Sequence, residues 1–408
     1  MSIPLSETHD LHTGDVPWSD ETWPQFAADQ FDHLSVDVAI VGGGIVGAII
    51  GERLASRGMS LAVLDRRIPG SGSTAASTAQ VMWAMDVPLT QLAARIGEDE
   101  AARRWRRVYK AVRSFGDRID RLGLHAARAA RPTVYLAGNV LGQDALAEEV
   151  QMRQRCELPS QFLTASAVAS RFGFAARAAS VSRGGFEIEP VQLTHALLTR
   201  ARAKGAKLCS PVDIIALHQL ADGVELKAAD GRRCRARMVV LATGYERPSL
   251  FLPPAFRLHA TFAIATPPST APLWRERAMV WEAADPYLYV RSDGDGRIIA
   301  GGEDIDQAEG IQRDHLIPAK TAVIAAKLEG LLGGRRIAVE RRWAATFGSS
   351  PDGLPAIGRS AIMPDVWLAA AFGGNGIAFA ALAADILERE LAGDHDPDLE
   401  CFDPRRFD

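Results

Sequence analysis

The chain has 408 residues, of which 47% are hydrophobic and 24% charged, and its net charge at pH 7 is −4. That length exceeds one small core and implies two intertwined domains of ordinary enzyme composition. The acidic balance leaves no electrostatic case for a nucleic-acid partner.

Residues 1–35 read as an N-terminal tail, polar and acidic, without the apolar core of a signal peptide. Its Trp18 and Trp23 are expected to lie over the body of the protein. Val36 to Val41 is a short β-branched run, the pattern of a strand buried on both faces. Gly42, Gly44 and Gly47 follow as G-x-G-x-x-G. The first permits a sharp turn, the second lets backbone approach a pyrophosphate, and the third lets the helix pack close to the sheet. A helix from Ile45 to about Arg57, closed by Gly58, offers free N–H groups to phosphates. Leu61 to Leu64 is a second buried strand. Asp65 at its end stands near the ~20-residue spacing at which an acid meets an adenosine ribose. Asp65 alone does not separate NAD from FAD. The loop Gly70 to Gln80 carries Ser71, Ser73, Thr74, Ser77 and Thr78, all able to donate to a pyrophosphate or a flavin edge. Such a tract is otherwise a flexible linker, but Val81, Met82 and Trp83 return it to something apolar. Trp83 is either a pocket wall or core.

Further along, Trp105, Val108, Val112, Phe115, Ile119 and Leu122 recur at three and four, an amphipathic helix from Glu98 to Leu122. Its opposite face, with Arg103, Arg104, Arg106, Arg107 and Arg113, reads as solvated and balanced by nearby acids. A strand is expected at Pro132–Leu141, helices at Asp144–Cys156, Ala165–Phe172 and Val191–Lys204, and strands at Lys207–Ile215, Gly223–Ala228 and Met238–Thr243. Residues 250–330 read as mostly antiparallel β, with a hairpin turn at Asp293-Gly294 and Asp295-Gly296. Val366 to Ala384 has the length of a membrane span, but Gly373-Gly374-Asn375-Gly376 breaks it, so no span is expected. Val366–Ala371 reads as a strand and Ile377–Leu391 as a helix. Cys156, Cys209, Cys234 and Cys401 form no C-x-x-C, which suits a reducing, cytoplasmic setting. The histidines form no H-x-x-x-H pair, so no metal is expected.

GGGIVG at 42–47, Asp65, the GSTAASTA loop, ATGY at 242–245, DGLPAIG at 352–358 and GGNGIAF at 373–379 together resemble the D-amino-acid oxidase-like family of flavoproteins. That family includes glycine oxidase, sarcosine oxidase and D-amino-acid dehydrogenases. The resemblance covers about residues 36 to 391. It implies an α/β fold: a Rossmann-like FAD-binding domain of glutathione-reductase type and a second, mostly antiparallel β-sheet substrate domain. The FAD-binding domain would take residues 36–85, 186–250 and 336–392. The substrate domain would take 86–185 and 251–335, leaving 393–408 as a C-terminal tail.

The resemblance implies non-covalent FAD. Its candidate contacts are Gly42, Gly44, Ile45, Val46, Gly47, Asp65, Arg66, Arg67, Ser73, Thr74, Ser77, Thr78, Ala79 and Gln80, then Val212, Ala242, Thr243 and Gly244. Gly353, Leu354, Gly373, Gly374, Asn375, Gly376 and Ile377 would lie along the isoalloxazine. There the start of the Ile377 helix can stabilise negative charge on the reduced ring. One dinucleotide fingerprint implies that the substrate reduces the flavin directly. The reaction implied is oxidation of a C–N bond in an amine or amino acid, with dioxygen or another electron acceptor. Tyr287, Tyr289 and Arg291 alternate along one strand and share a face. Either they meet a substrate carboxylate, or Arg291 is exposed and the tyrosines are packed. Two departures stand out. Phe347 occupies the position matched to an arginine of glycine oxidases, so a carboxylate clamp is in question. Ile299 and Ala345 occupy those matched to the oxygen-activating lysine and flavin-linking cysteine of sarcosine oxidases. The alternatives are a hydroxy-acid or polyol-phosphate dehydrogenase with Glu303 or His259 as base, and an accessory flavoprotein subunit.

Overall fold

The structure is a computed structural model describing residues 2–5, 8–18, 28–125, 128–246, 251–252, 255–268, 273–306, 310–370 and 373–407. Trp23, expected to lie over the body, is outside the described residues.

The apolar run after the tail forms the strand Ser35–Val41, at the centre of a nine-stranded mixed sheet among the described residues. It runs parallel to Leu61–Leu64 and to Arg233–Leu241, with Val38 opposite Leu61 on one side and Met238 on the other. Lys207–Cys209 and Val366–Ala370 add further parallel pairings. Buried on both faces, these strands have no use for alternation, which is why they read as continuous apolar runs. The helices Ile45–Ser56, Pro190–Ala203 and Gly376–Ala392 cover one face and bury Ile49, Leu54, Leu197, Phe379 and Leu387 in a shared core.

Ten strands form the second sheet among the described residues, in the order His12–Gly14, Arg341–Ser349, Arg257–Ala265, Ile298–Ile305, Leu288–Ser292, Met279–Glu282, Arg128–Leu136, Ala179–Ile188 and Gln80–Val81, with Ser160–Leu163 at the side. Its pairings are antiparallel except for Met279–Glu282 against Arg128–Leu136.

Several elements differ from expectation. The segment before residue 36 is tied to both sheets: Ser2–Pro4 pairs with Ile214–Leu220, and His12–Gly14 with Arg341–Ser349. Arg341–Ser349, assigned to the nucleotide domain, hydrogen-bonds within the second sheet. The strand expected at Lys207–Ile215 is split at Pro211, which has no N–H for a ladder. The helix Glu98–Arg121 buries the expected stripe, but Arg107 is turned inward to pair with Asp385 and Asp396. Its neighbour Arg103 pairs with Asp398. The C-terminal stretch is packed too: Cys401 and Phe402 are buried and Arg406 pairs with Asp352.

Candidate active site

One cavity of about 500 Å³ extends from the glycine turn at Gly42 and Gly44 to the second glycine loop at Gly373–Gly376. Both glycine elbows thus face a single space, at the ends of parallel strands where ligands of such sheets bind.

The turn is shaped by what its glycines exclude. Gly42 has a φ of +112°, and a Cβ there would sit 2.3 Å from the Ala242 carbonyl oxygen. A Cβ on Gly47 would meet the Gly42 carbonyl oxygen at 1.9 Å, so its role is close packing; it does not line the cavity. The Ile45 N–H, at the helix start, donates to Thr74 Oγ1 at 3.0 Å. That uses a lone pair of Thr74 and leaves its own hydrogen to donate to an anion. Asp65 accepts from the Gly43 N–H at 2.7 Å and the Arg67 N–H at 2.8 Å. Burial pushes its pKa up against those two bonds. Arg66 and Arg67 also line this end, both paired with Glu246. Val212, Ala242, Thr243 and Gly244 complete it.

The hydroxyl loop is not a flexible linker. It contains the helical turn Ser73–Ala76 and the strand Gln80–Val81. Three large side chains pin its carbonyls from outside. Trp343 Nε1 donates to Ala76 O at 3.0 Å, Trp18 Nε1 donates to Ser77 O at 2.8 Å, and Arg291 Nε donates to Thr78 O. Three of the loop's own polar atoms are left to the cavity: Ser73 Oγ and both amide atoms of Gln80 are buried without a hydrogen-bond partner. Ser77, Thr78 and Ala79 line it as well.

At the far end, Gly373, Gly374, Asn375, Gly376 and Ile377 line the cavity at the start of the helix Gly376–Ala392. Asp86 accepts the Gly374 N–H at 2.9 Å and the Asn375 Nδ2–H at 3.2 Å. Its side chain opens into the cavity but is ringed by protein, and that desolvation, with the Asp304 charge adding to it, lifts its pKa to about 6. Tyr287 donates to Asp304 Oδ2 at 2.6 Å. Tyr135 and Trp281 stack with ring centroids 4.0 Å apart. All of these line the same space, together with Tyr289, Thr261 and Phe347.

Arg291 does not line the cavity. It is 1% exposed, lies over the Trp18 ring, and donates to Thr78 O and Ile188 O. Arg291 keeps the face of the tyrosines, but at its position the strand runs beneath the hydroxyl loop, so it is neither a substrate contact nor exposed. Gly353 and Leu354 are also outside the cavity: a Cβ on Gly353 would meet Val87, and Leu354 is fully buried. Trp83 is core, packed edge-on against Trp105 and Tyr109. Neither candidate base reaches the cavity. Glu303 is paired with Lys320 and Lys327, and His259 bonds Ser349 and Asp306. The sequence reading missed Asp86, Asp304, Tyr135 and Trp281. Each sits in a run that reads as core, and only the single acid closing MWAMD and the acid pair closing GGED hint at a site.

The residues fit an FAD molecule on three counts: a glycine cradle that a Cβ would fill, unpartnered buried polar atoms along the wall, and two helix starts with first-turn N–H groups facing one space. Asp86 supplies a test of this electrostatics. Its folded-state pKa lies above that of an unfolded aspartate, so the folded chain holds the extra proton between pH 3.8 and about 6. Stability therefore falls as pH rises through that window. Asp86→Asn is expected to flatten that fall and to melt higher than the parent above pH 6. Thermal unfolding of both chains across this range checks it, and equal slopes would reject it.

Comparison with known proteins agrees with this geometry. Residues 37–389 match the family model DAO, described as FAD dependent oxidoreductase. Over 415 residues the chain is 24% identical to the tRNA 5-methylaminomethyl-2-thiouridine biosynthesis bifunctional protein MnmC of Cupriavidus metallidurans, covering 90% of this chain and 58% of that protein. The MnmC of Paracidovorax citrulli is 26% identical over 406 residues, covering 88% and 58%. The chain thus spans less than two thirds of these curated relatives. Among solved structures, L-proline dehydrogenase of P. horikoshii superposes with a TM-score of 0.77 at 19% identity, covering 92% of this chain and 98% of that one. Glycine oxidase of Geobacillus kaustophilus gives 0.75 at 19% identity, covering 92% and 100%. L-amino acid deaminase of Proteus myxofaciens gives 0.76 at 14% identity, covering 98% and 99%. No described helix is long and apolar enough to cross a membrane. With the family model matched over most of its length, the chain belongs to the DAO family of FAD dependent oxidoreductases.

Proposed function

We propose that this chain oxidises a C–N bond of a small amine or amino acid. The observation that carries the reading is the single cavity that joins the glycine turn at Gly44 to the glycine loop at Gly374, with an aromatic end beside that loop. The names of its structural neighbours, a proline dehydrogenase, a glycine oxidase and an amino-acid deaminase, point to C–N substrates as well.

Thr74, Ser73 and the start of the Ile45 helix would hold the pyrophosphate, and Asp65 the adenosine ribose. Thr78, Gln80 and the N–H groups of the Gly376 helix start would hold the flavin. Bound FAD supplies the hydride acceptor, leaving an imine that water hydrolyses. The chain's own groups do the rest. Tyr135, Trp281, Tyr287 and Phe347 wall off water. The helix start opposes negative charge that builds at its end of the cavity. No described lining histidine or lysine offers a base, so the nitrogen must lose its proton to Asp86, to Asp304 or to solvent before the hydride leaves.

The electron acceptor is dioxygen or another oxidant such as a quinone. Four free, buried thiols support a reducing, cytoplasmic location. The purified protein is expected to be yellow. Under anaerobic conditions an amine or amino acid should bleach the oxidised-flavin band, whereas hydroxy acids, polyol phosphates and bulk tRNA should not. Admitting air, or a quinone analogue, then identifies the acceptor. A protein that stays colourless with added FAD, or that is bleached only by hydroxy acids, would overturn the reading.

A further inference from the structure

Among the described residues, the end of the cavity beside Gly373–Ile377 carries acids and aromatic rings but no lysine, arginine or histidine. Among the described lining residues the cations are Arg66 and Arg67, and both are paired with Glu246 at the other end. Asp86 bonds the glycine loop at Gly374, and Asp304 lines the same cavity near enough for its charge to push the Asp86 pKa up.

Asp304 is put there by the backbone. On the strand Ile298–Ile305, Gly301 lies against the Tyr289 ring. With a period of two, residue 303 would follow it onto that face. A bulge intervenes: Ala260 pairs with Ile305 and Phe262 with Gly302, so Glu303 and Asp304 oppose Thr261 alone. Glu303 takes a φ of +59° and turns away to Lys320 and Lys327. Asp304 takes its place on the cavity side, the kind of re-aiming that bulges beside sites perform.

A second feature points the same way. Asn375 is 2% exposed and lines this end. Its Nδ2 is committed to Ala84 O at 3.0 Å and to Asp86 Oδ1, while its acceptor oxygen has no partner. Two carboxylates and a free carbonyl oxygen make an acceptor-rich surface for a donor with positive charge. The stacked Tyr135 and Trp281 rings add faces that attract a cation. A substrate carboxylate would find like charge here and no counter-ion.

We propose that this end binds a carboxylate-free amine as its ammonium form, between Asp86 and Asp304, and rejects amino acids. This rests on the C–N reading above and narrows its substrate class. The like-charge pressure that Asp304 exerts on Asp86 is what a bound cation would relieve.

The test uses the holoenzyme and two readouts. First, the oxidised flavin spectrum is titrated with tetramethylammonium, which cannot be oxidised by this route, and separately with benzoate. The cation is expected to perturb the band saturably and benzoate to leave it unchanged. Asp304→Asn should weaken the cation at least tenfold, and Asp304→Glu should restore part of the loss. Second, benzylamine and phenylglycine are compared in anaerobic bleaching, and the amine is expected to act alone. Binding of benzoate but not the cation, no response to either ligand, or bleaching by the amino acid and not the amine, would each overturn the proposal. If the cation binds but no amine bleaches the flavin, the cation site stands and the C–N reading falls. The wild-type titration decides the matter even if a variant does not fold.

Discussion

Replacing Gly47 by alanine is expected to give a chain that no longer retains FAD. The glycine lies inside the helix Ile45–Ser56, so alanine would be favoured there by local propensity. Tertiary packing reverses the sign. A Cβ would stand 1.9 Å from the Gly42 carbonyl oxygen, and backbone cannot swing aside as a long side chain can. Relief requires the helix to move off the turn. That shift breaks the Ile45 N–H bond to Thr74 and opens the Gly42–Gly44 elbow, the two features that shape the proposed phosphate site. Overpacking of this kind costs about 1–3 kcal/mol and more where backbone opposes it. The flavin-to-protein absorbance ratio and the melting temperature check the outcome. The same substitution at Gly58, whose Cβ would meet nothing within 4 Å, should keep the flavin and lose only the left-handed turn preference. A yellow Gly47→Ala chain with unchanged melting would show that the elbow is less rigid than its contacts imply.

That contrast explains which parts of the molecule were legible in the sequence. The glycine elbow was, because a backbone approach that tolerates no Cβ demands glycine and so leaves a pattern. The parallel strands were, because burial on both faces writes an unbroken apolar run. The second sheet's hairpin was marked by Asp293 to Gly296. Elements held by distant partners left no local pattern. Ser2–Pro4 and His12–Gly14 are too short and polar to read as strands, and they exist because each completes the edge of a sheet. Asp304 was hidden because its direction depends on a bulge, and a bulge inverts the alternation by which faces are assigned. Gly353 was misplaced because a glycine turn that looks ligand-facing here faces Val87. Arg291 was misassigned for a subtler reason. Its position in the alternation is right, but the strand passes from beneath the cavity to beneath the loop within one residue pair.

Arg291 is the position where that geometry predicts a large loss without any contact to substrate. Its guanidinium is fully buried and holds the carbonyl oxygens of Thr78 and Ile188, the latter at 3.0 Å. Glu187 lies 3.8 Å away as counter-charge, and Trp18 covers the group from the tail side with its own bond to Ser77. Arg291→Met keeps most of the volume but leaves two carbonyl oxygens without donors. It also leaves Glu187 buried with Arg131 as its nearer remaining partner. Breaking a buried charge pair on one side costs about 3–5 kcal/mol. The loss falls on the segment that presents Ser77, Thr78 and Gln80 to the cavity, so flavin retention should drop together with the melting temperature. Arg291→Lys should not rescue it, because one ammonium cannot span two carbonyls that a planar fork reaches at once. This pattern separates an anchor from a substrate ligand. A ligand arginine would cost turnover at unchanged melting, and lysine would recover part of it. Melting scans and flavin content of the two variants distinguish the cases. A stable, fully flavinated Arg291→Met chain would mean that the hydroxyl loop is held in place by Trp18 and Trp343 without it.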